Sequence, residues 1–204
     1  MKKNIDNKLD NTLEKLLLLK PLLDKISDGG MFKIMFIWFF RVIAALLAIG
    51  ILYASWQLWS KMSNQLPAKY FIGALLLEVF IVIMGYTAIN IVLIRANTIR
   101  DLPNARDYLV TPIVVVCWKM FGEILGSMYI LLGLAIGIIS FVAGENMMQF
   151  LPFSLPGFGG GTSSGLFVII LGAVFGFLTI FIMYFLAEAI GALVDIARNT
   201  QKRN

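Results

Sequence analysis

The chain has 204 residues, of which 59% are hydrophobic and only 14% are charged, and its formal net charge is +5. Soluble domains carry about 25% charged residues, so this composition predicts a membrane-embedded chain. Because there is no His and only one Cys, the sequence excludes a disulfide framework, a Cys/His metal site and a His-based catalytic triad built within this chain.

Residues 1–28 are predicted to form a cytoplasmic amphipathic helix that is kinked or restarted at Pro21. Its apolar side chains recur at helical spacing, at Ile5, Leu9, Leu13, Leu16, Leu19, Leu23 and Ile26. Its lysines are nearly balanced by acidic residues, whereas a helix that binds anionic lipid carries mostly Lys and Arg on its polar face. We therefore expect this segment to pack on the protein or on a partner, or to lie as a solvated helix at the membrane surface.

Residues 29–204 are predicted to form a four-helix transmembrane domain. Each apolar run is long enough for a membrane-spanning helix, which needs ~20 residues. The runs pair into a first hairpin over residues 31–100 and a second hairpin over residues 109–203. A polar connection over residues 95–108 joins the hairpins, and a Gly- and Phe-rich outer loop over residues 144–164 separates the last two spans.

The distribution of Lys and Arg predicts the orientation. These residues concentrate in the N-terminal segment, the 95–108 connection and the C-terminal tail, and the two outer loops contain only Lys61 and Lys69. Because Lys and Arg are enriched on the cytoplasmic side, both termini are expected in the cytoplasm. Orientation on insertion explains the net positive charge better than a nucleic-acid partner does.

The ends of the second and fourth spans share a pattern. Residues 92–100 and 194–202 both read Val-x-Ile-x-x-Asn-Thr-x-basic. This similarity predicts two parallel hairpin repeats related by an axis along the membrane normal. The alternative is that cytoplasmic ends of spans simply resemble one another.

The last hairpin closes with Glu188, an apolar stretch that reaches Ile196, and then Asn199. In this it resembles a bacterial family of unknown function that is built on a two-helix membrane hairpin. The resemblance covers only the last hairpin, and the first hairpin lacks the corresponding Glu. It implies a protein of the bacterial inner membrane and supplies no activity.

Small residues four positions apart predict close helix packing. The pairs are Gly122/Gly126, Gly133/Gly137 and Gly172/Gly176. The sequence leaves open whether these pairs pack within one chain or between copies.

Several polar residues are predicted to form a belt at the cytoplasmic border, namely Arg41, Lys119, Glu123, Glu188 and Asp195. Lys119 and Glu123 are one helical turn apart and are expected to be able to pair. The belt is interpreted either as side chains that snorkel to the interface or as a cytoplasm-facing cluster that binds a partner or a small ion.

Glu78 lies within the second span, and a charge near the bilayer centre costs at least ~2.5 kcal/mol. Tyr53 and Ser55 in the first span are the predicted hydrogen-bond donors to this carboxyl group. The alternative interpretation is a proton or cation site.

The outer loop is predicted to dock on a neighbouring subunit through Phe150, Phe153 and Phe158, or to dip into the lipid interface.

These features predict an all-α four-transmembrane-helix bundle. Its expected role is that of a non-catalytic integral membrane subunit or scaffold of a larger membrane assembly. Its expected partners are the lipid bilayer and other membrane subunits or further copies of itself, and no cofactor is expected. The competing hypothesis is a small channel or transporter that uses Glu78 and the polar belt. The sequence does not predict an enzyme, because no convergent set of nucleophiles, bases or metal ligands is visible.

Overall fold

The computed structural model describes residues 30–62, 68–102, 110–144 and 165–201, and nearly all of them are helical. The helices are α1 (Gly30–Met62), α2 (Ala68–Asp101), α3 (Val110–Ala143) and α4 (Gly165–Gln201). All four are long and apolar enough to cross a membrane. This confirms the prediction of an all-helical chain with four membrane-length helices. The N-terminal segment 1–28 and the outer loop with Phe150, Phe153 and Phe158 lie outside the described residues.

The helices extend beyond the apolar runs. They contain 33 to 37 residues each, which corresponds to roughly 50–55 Å at the α-helical rise. Helix α2 continues through Arg95 to Asp101, so the first part of the predicted polar connection is helical. No Gly or Pro interrupts residues 95–101, and Ala96 and Ile99 are buried, so the helix continues on packing contacts.

Close packing in the described part of the chain joins consecutive helices: α1 with α2, α2 with α3, and α3 with α4. Two apolar cores lie at opposite ends of the first three helices. One core includes Leu58, Leu77 and Leu132. The other core includes Phe40, Ile99 and Met120. Helix α4 contributes to neither core, so another kind of contact must hold it.

That contact is a glycine-lined interface between α3 and α4. All six glycines of the predicted pairs are buried. A Cβ atom added at Gly133 would stand 2.8 Å from the Cα atom of Gly172, and one added at Gly126 would stand 2.7 Å from the carbonyl oxygen of Gly176. The two backbones therefore touch directly, and dispersion contacts between them replace side-chain packing.

The other two glycines of the predicted pairs, Gly122 and Gly137, do not face a glycine of those pairs. A Cβ atom added at Gly137 would stand 2.6 Å from the carbonyl oxygen of Gly165, at the start of α4. One added at Gly122 would stand 2.6 Å from the Cβ atom of Met183. The predicted pairs are therefore an incomplete description of this interface, because Gly137 meets a glycine outside them and Gly122 is covered by a side chain.

Polar contacts also fix the relative position of helix ends. The ammonium group of Lys33 in α1 donates to the carbonyl oxygen of Leu102, at the end of α2, over 2.6 Å. This bond satisfies a carbonyl that the end of the helix leaves without an intrahelical partner. The start of α1 and the end of α2 are thereby held at the same level.

Candidate functional site

A cluster of three polar side chains joins three helices. Arg95 of α2 donates from Nε to Oε2 of Glu123 on α3 over 2.8 Å, and from Nη2 to the other carboxylate oxygen. The hydroxyl group of Tyr184 on α4 donates to that same oxygen and accepts a bond from Arg95 Nη2 over 3.0 Å. The guanidinium group thus holds the carboxylate in a two-point contact, which is the strong geometry for this pair.

The cluster is largely withdrawn from solvent. The side chains of Arg95 and Glu123 are 18% and 21% exposed. An ion pair at this level of burial is screened less than a surface pair. It also links α4 to α2, two helices that have little other packing between them. The cluster therefore acts as a brace between the two hairpins.

The cluster lies near one membrane border. Arg95 follows Tyr70 by 25 residues, Glu123 precedes Ala143 by 20, and Tyr184 follows Gly165 by 19. At the α-helical rise these separations correspond to ~28–38 Å, and the hydrocarbon core of a bilayer is ~30 Å thick. The three side chains therefore converge near the border opposite to the outer loops, which the Lys and Arg distribution predicts to be cytoplasmic.

Lys119 lies one turn from Glu123 on α3 but does not form the expected pair with it. The carboxylate of Glu123 is held by Arg95, and the ammonium nitrogen of Lys119 stands over the ring of Tyr184, 5.0 Å from its centroid. This is a cation–π contact. The intrahelical pairing is thus replaced by contacts to two other helices, because these offer a bidentate donor and an aromatic face.

The rest of the predicted belt is not brought together. Arg41 is exposed on α1, with its guanidinium carbon 5.3 Å from the centroid of the Trp38 ring on its own helix. Glu188 and Asp195 are exposed on α4. Of the five belt residues, only Glu123 belongs to the cluster, and Lys119 contacts it through the Tyr184 ring.

Sequence reasoning missed Arg95 and Tyr184 as members of the cluster. A signal for Arg95 exists: it has the opposite charge to Glu123 and falls at a similar distance from the outer end of its span, and buried charges in membranes pair. Tyr184 gives a weaker signal, since an aromatic residue inside an apolar run is read as lipid-facing. Only its hydroxyl group, at the same distance from the outer end, points to a polar contact.

Glu78 does not meet its predicted donors. Its Oε2 atom is buried and has no hydrogen-bond partner among the described residues. Tyr53 is 62% exposed, and its hydroxyl oxygen accepts a bond from Gln57 on its own helix over 2.6 Å. The described contacts include no bond from Ser55 to Glu78. Tyr53 lies on α1 at a suitable depth but faces away, which depth alone cannot reveal.

The polar groups of the cluster neutralise one another. Each polar group in it is bound by another, and within the described ranges no group of His, Cys, Asp and Glu side chains is placed to hold a metal ion. Comparison of the chain with protein-family models, with curated proteins and with solved structures gives no match. The resemblance of the last hairpin therefore rests on Glu188, Ile196 and Asn199 alone.

Proposed function

We propose that the chain is a non-catalytic integral membrane subunit or scaffold of a larger membrane assembly. We place it in the bacterial inner membrane with both termini in the cytoplasm, and we interpret its two hairpins as parallel repeats. The observation that carries the proposal is the exposure of the outer helices. Only 11% of the most hydrophobic stretch of the first span and 17% of that of the fourth are buried, against 39% in each inner span.

The exposed faces carry large side chains. Leu52 and Trp56 on α1 are 71% and 73% exposed, and Phe177 and Phe181 on α4 are 68% and 61% exposed. By contrast, the charged groups of the Arg95–Glu123–Tyr184 cluster hold the helices of this chain together. Such a molecule can bind a neighbour through its exposed apolar surfaces, while its polar contacts hold its own helices in place. Both properties suit a scaffold.

Site-specific photo-crosslinking tests the proposal. A benzophenone amino acid at Trp56 or at Phe181 should crosslink in native membranes to one defined protein, and the same protein should co-purify in a fixed ratio. The matched control is the same amino acid at Ile83 on an inner helix, which is less exposed at 41%. Adducts with lipid alone from both outer helices would refute the scaffold role.

The proposed orientation has its own test. Cysteines placed at Ser63 and Ser163 in a Cys117-free background should react with an impermeant reagent from outside, and a cysteine at Thr200 should react only after permeabilisation. Labelling of Ser163 from the cytoplasmic side would contradict the orientation.

The docking of the outer loop stays a prediction. Replacing Phe150, Phe153 and Phe158 by Ser should leave insertion intact and release co-purifying chains. Partners that remain bound would assign the loop to the lipid interface.

A second candidate, a small channel or transporter, is favoured by Glu78. A buried polar atom without a partner costs about 1–3 kcal/mol, so an unpartnered carboxyl oxygen suggests that a proton, an ion or a partner group completes the site. In that case Glu78→Gln should abolish proton or cation flux in vesicles while assembly stays intact. If Glu78 has no such role, Glu78→Leu should assemble at least as well as the parent chain, because it removes an unsatisfied oxygen.

A further inference from the structure

Lys119 carries a positive charge that is required neither by the contacts joining the helices nor by the proposed scaffold function. We propose that Lys119, together with the face of Tyr184, forms a binding site for the headgroup of an anionic phospholipid at the cytoplasmic end of the α3–α4 pair. The proposal does not rest on the scaffold function, since a lipid site is compatible with either candidate function.

The charge balance of the cluster supports a negative ligand. The cluster together with Lys119 has two cations, Arg95 and Lys119, but a single carboxylate, that of Glu123, which Arg95 already engages through two of its nitrogens. Within the described residues, Lys119 forms no ion pair: its ammonium group stands over the Tyr184 ring and is attracted at longer range by the carboxylate of Glu123. An ammonium group has three donors, and a ring face satisfies none of them with an oxygen. Lys119 therefore retains the capacity to bind a phosphate oxygen.

The position of Lys119 matches the depth of lipid phosphates. Lys119 precedes Ala143 by 24 residues, which corresponds to ~36 Å along the helix. This is ~6 Å more than the thickness of the hydrocarbon core. Helical side chains also tilt towards the N-terminus of their helix. For α3 that direction leads away from the hydrocarbon core of the bilayer and towards the cytoplasmic headgroups. The ammonium group, 5.0 Å from the centroid of the Tyr184 ring, thus lies at the border between the hydrocarbon core and the headgroup layer, within reach of lipid phosphates.

The immediate surroundings favour a lipid over a soluble anion. Basic pockets between transmembrane helices on the cytoplasmic side commonly hold anionic headgroups. The neighbouring surface of α4 is apolar, with Phe181, one turn from Tyr184, and Phe185 exposed by 61% and 62%, so acyl chains can lie below the bound phosphate. An opposing charge comes from Glu188, one turn beyond Tyr184, which is exposed and, within the described residues, forms no ion pair with Lys119. Its carboxylate should weaken the site without occupying it.

Tryptophan quenching by brominated lipids tests the proposal, because Trp118 is adjacent to Lys119. Replacing Trp38, Trp56 and Trp59 by Phe leaves Trp118 as the reporter. The purified chain is reconstituted with phosphatidylglycerol or phosphatidylethanolamine, each brominated near the glycerol backbone. We expect stronger quenching by phosphatidylglycerol at equal mole fraction. Lys119→Gln should lower the relative affinity for phosphatidylglycerol about five-fold, since one Lys near the surface contributes ~1 kcal/mol.

Two further variants make the test specific. Arg41→Gln, which removes an exposed charge from the same end of α1, should leave the preference unchanged, and Glu188→Gln should increase it. Equal quenching by both lipids, or an unchanged preference in Lys119→Gln, would overturn the proposal. The proposal would also be overturned if Arg41→Gln lowered the preference for phosphatidylglycerol as much as Lys119→Gln does. Such a result would mean that the preference depends on the overall surface charge and not on a site at Lys119. Relief of quenching by excess inorganic phosphate would refute the assignment to a lipid and indicate a soluble phosphate ligand.

Discussion

Replacing Glu123 by Gln is the sharpest perturbation of the interhelical brace. The amide keeps the size of the carboxylate but removes its charge, and it offers one acceptor oxygen where Arg95 and Tyr184 now share two. The guanidinium group of Arg95 would then remain partly buried without its counter-charge. The change therefore removes the ion pair while leaving the packing of α3 nearly intact.

The expected magnitude follows from burial. Breaking a fully buried ion pair by removing one partner costs 3–5 kcal/mol, whereas a hydrogen bond to a charged group contributes roughly 1.5–3 kcal/mol. Because Arg95 and Glu123 are 18% and 21% exposed, water and headgroups recover part of the loss. We expect a decrease of about 2 kcal/mol in the free energy of unfolding, or about 30-fold in the unfolding equilibrium constant.

Reversible unfolding in mixed detergent micelles measures this loss, with circular dichroism as the readout. Glu188→Gln is the matched control, since it makes the same chemical change at an exposed position near the same end of α4. The Arg95→Gln/Glu123→Gln double variant should be less destabilised than the sum of the single variants, because the second substitution removes the orphaned charge. A cost for Glu123→Gln within ~0.5 kcal/mol of the control, with additive single variants, would refute the bracing role.

Two further predictions concern the contacts of α4. Gly133→Ala should destabilise the α3–α4 pair by about 1–3 kcal/mol, because the new Cβ atom would stand 2.8 Å from the backbone of Gly172. Gly50→Ala is the control, because a Cβ atom added there meets nothing within 4 Å. It should not change the free energy of unfolding measurably in the same assay. Tyr184→Phe should cost ~1 kcal/mol through the lost hydroxyl bonds, while Tyr86→Phe, at a position that is 69% exposed, should stay within ~0.5 kcal/mol of the parent chain.

The spans and the close-packing glycines were accessible from the sequence because each depends on local information. An apolar run of about 20 residues indicates a membrane-spanning helix by its length and composition alone. A glycine pair such as Gly172 and Gly176 indicates a helix face that a second helix can approach closely. The sequence nevertheless did not reveal that these glycines meet α3 of the same chain, because rotation about the helix axis is set by the partner. For the same reason it did not reveal that Gly137 meets Gly165, which stands at the predicted boundary between the outer loop and the fourth span, where a helical spacing could not be assumed.

The polar contacts were less accessible because they depend on which helices are neighbours. Arg95 and Glu123 are 28 positions apart, and Tyr184 follows Glu123 by a further 61. Spacing along one helix favoured Lys119 as the partner of Glu123, but a guanidinium group from α2 offers two aligned donors and displaces it. For Glu78 the depth of Tyr53 suggested a bond, but the tyrosine lies on the outer face of α1, so depth without rotation gave the wrong partner.

The most direct test of the scaffold role is the mass of the particle extracted from native membranes. The chain has a mass of 22.7 kDa. Extraction into a native-lipid nanodisc by an amphipathic copolymer, followed by native mass spectrometry, should yield one dominant species that contains the chain and a fixed number of further polypeptides, either another subunit or additional copies. A dominant species of 22.7 kDa plus lipid, obtained across several copolymers and at native expression levels, would contradict the proposed function.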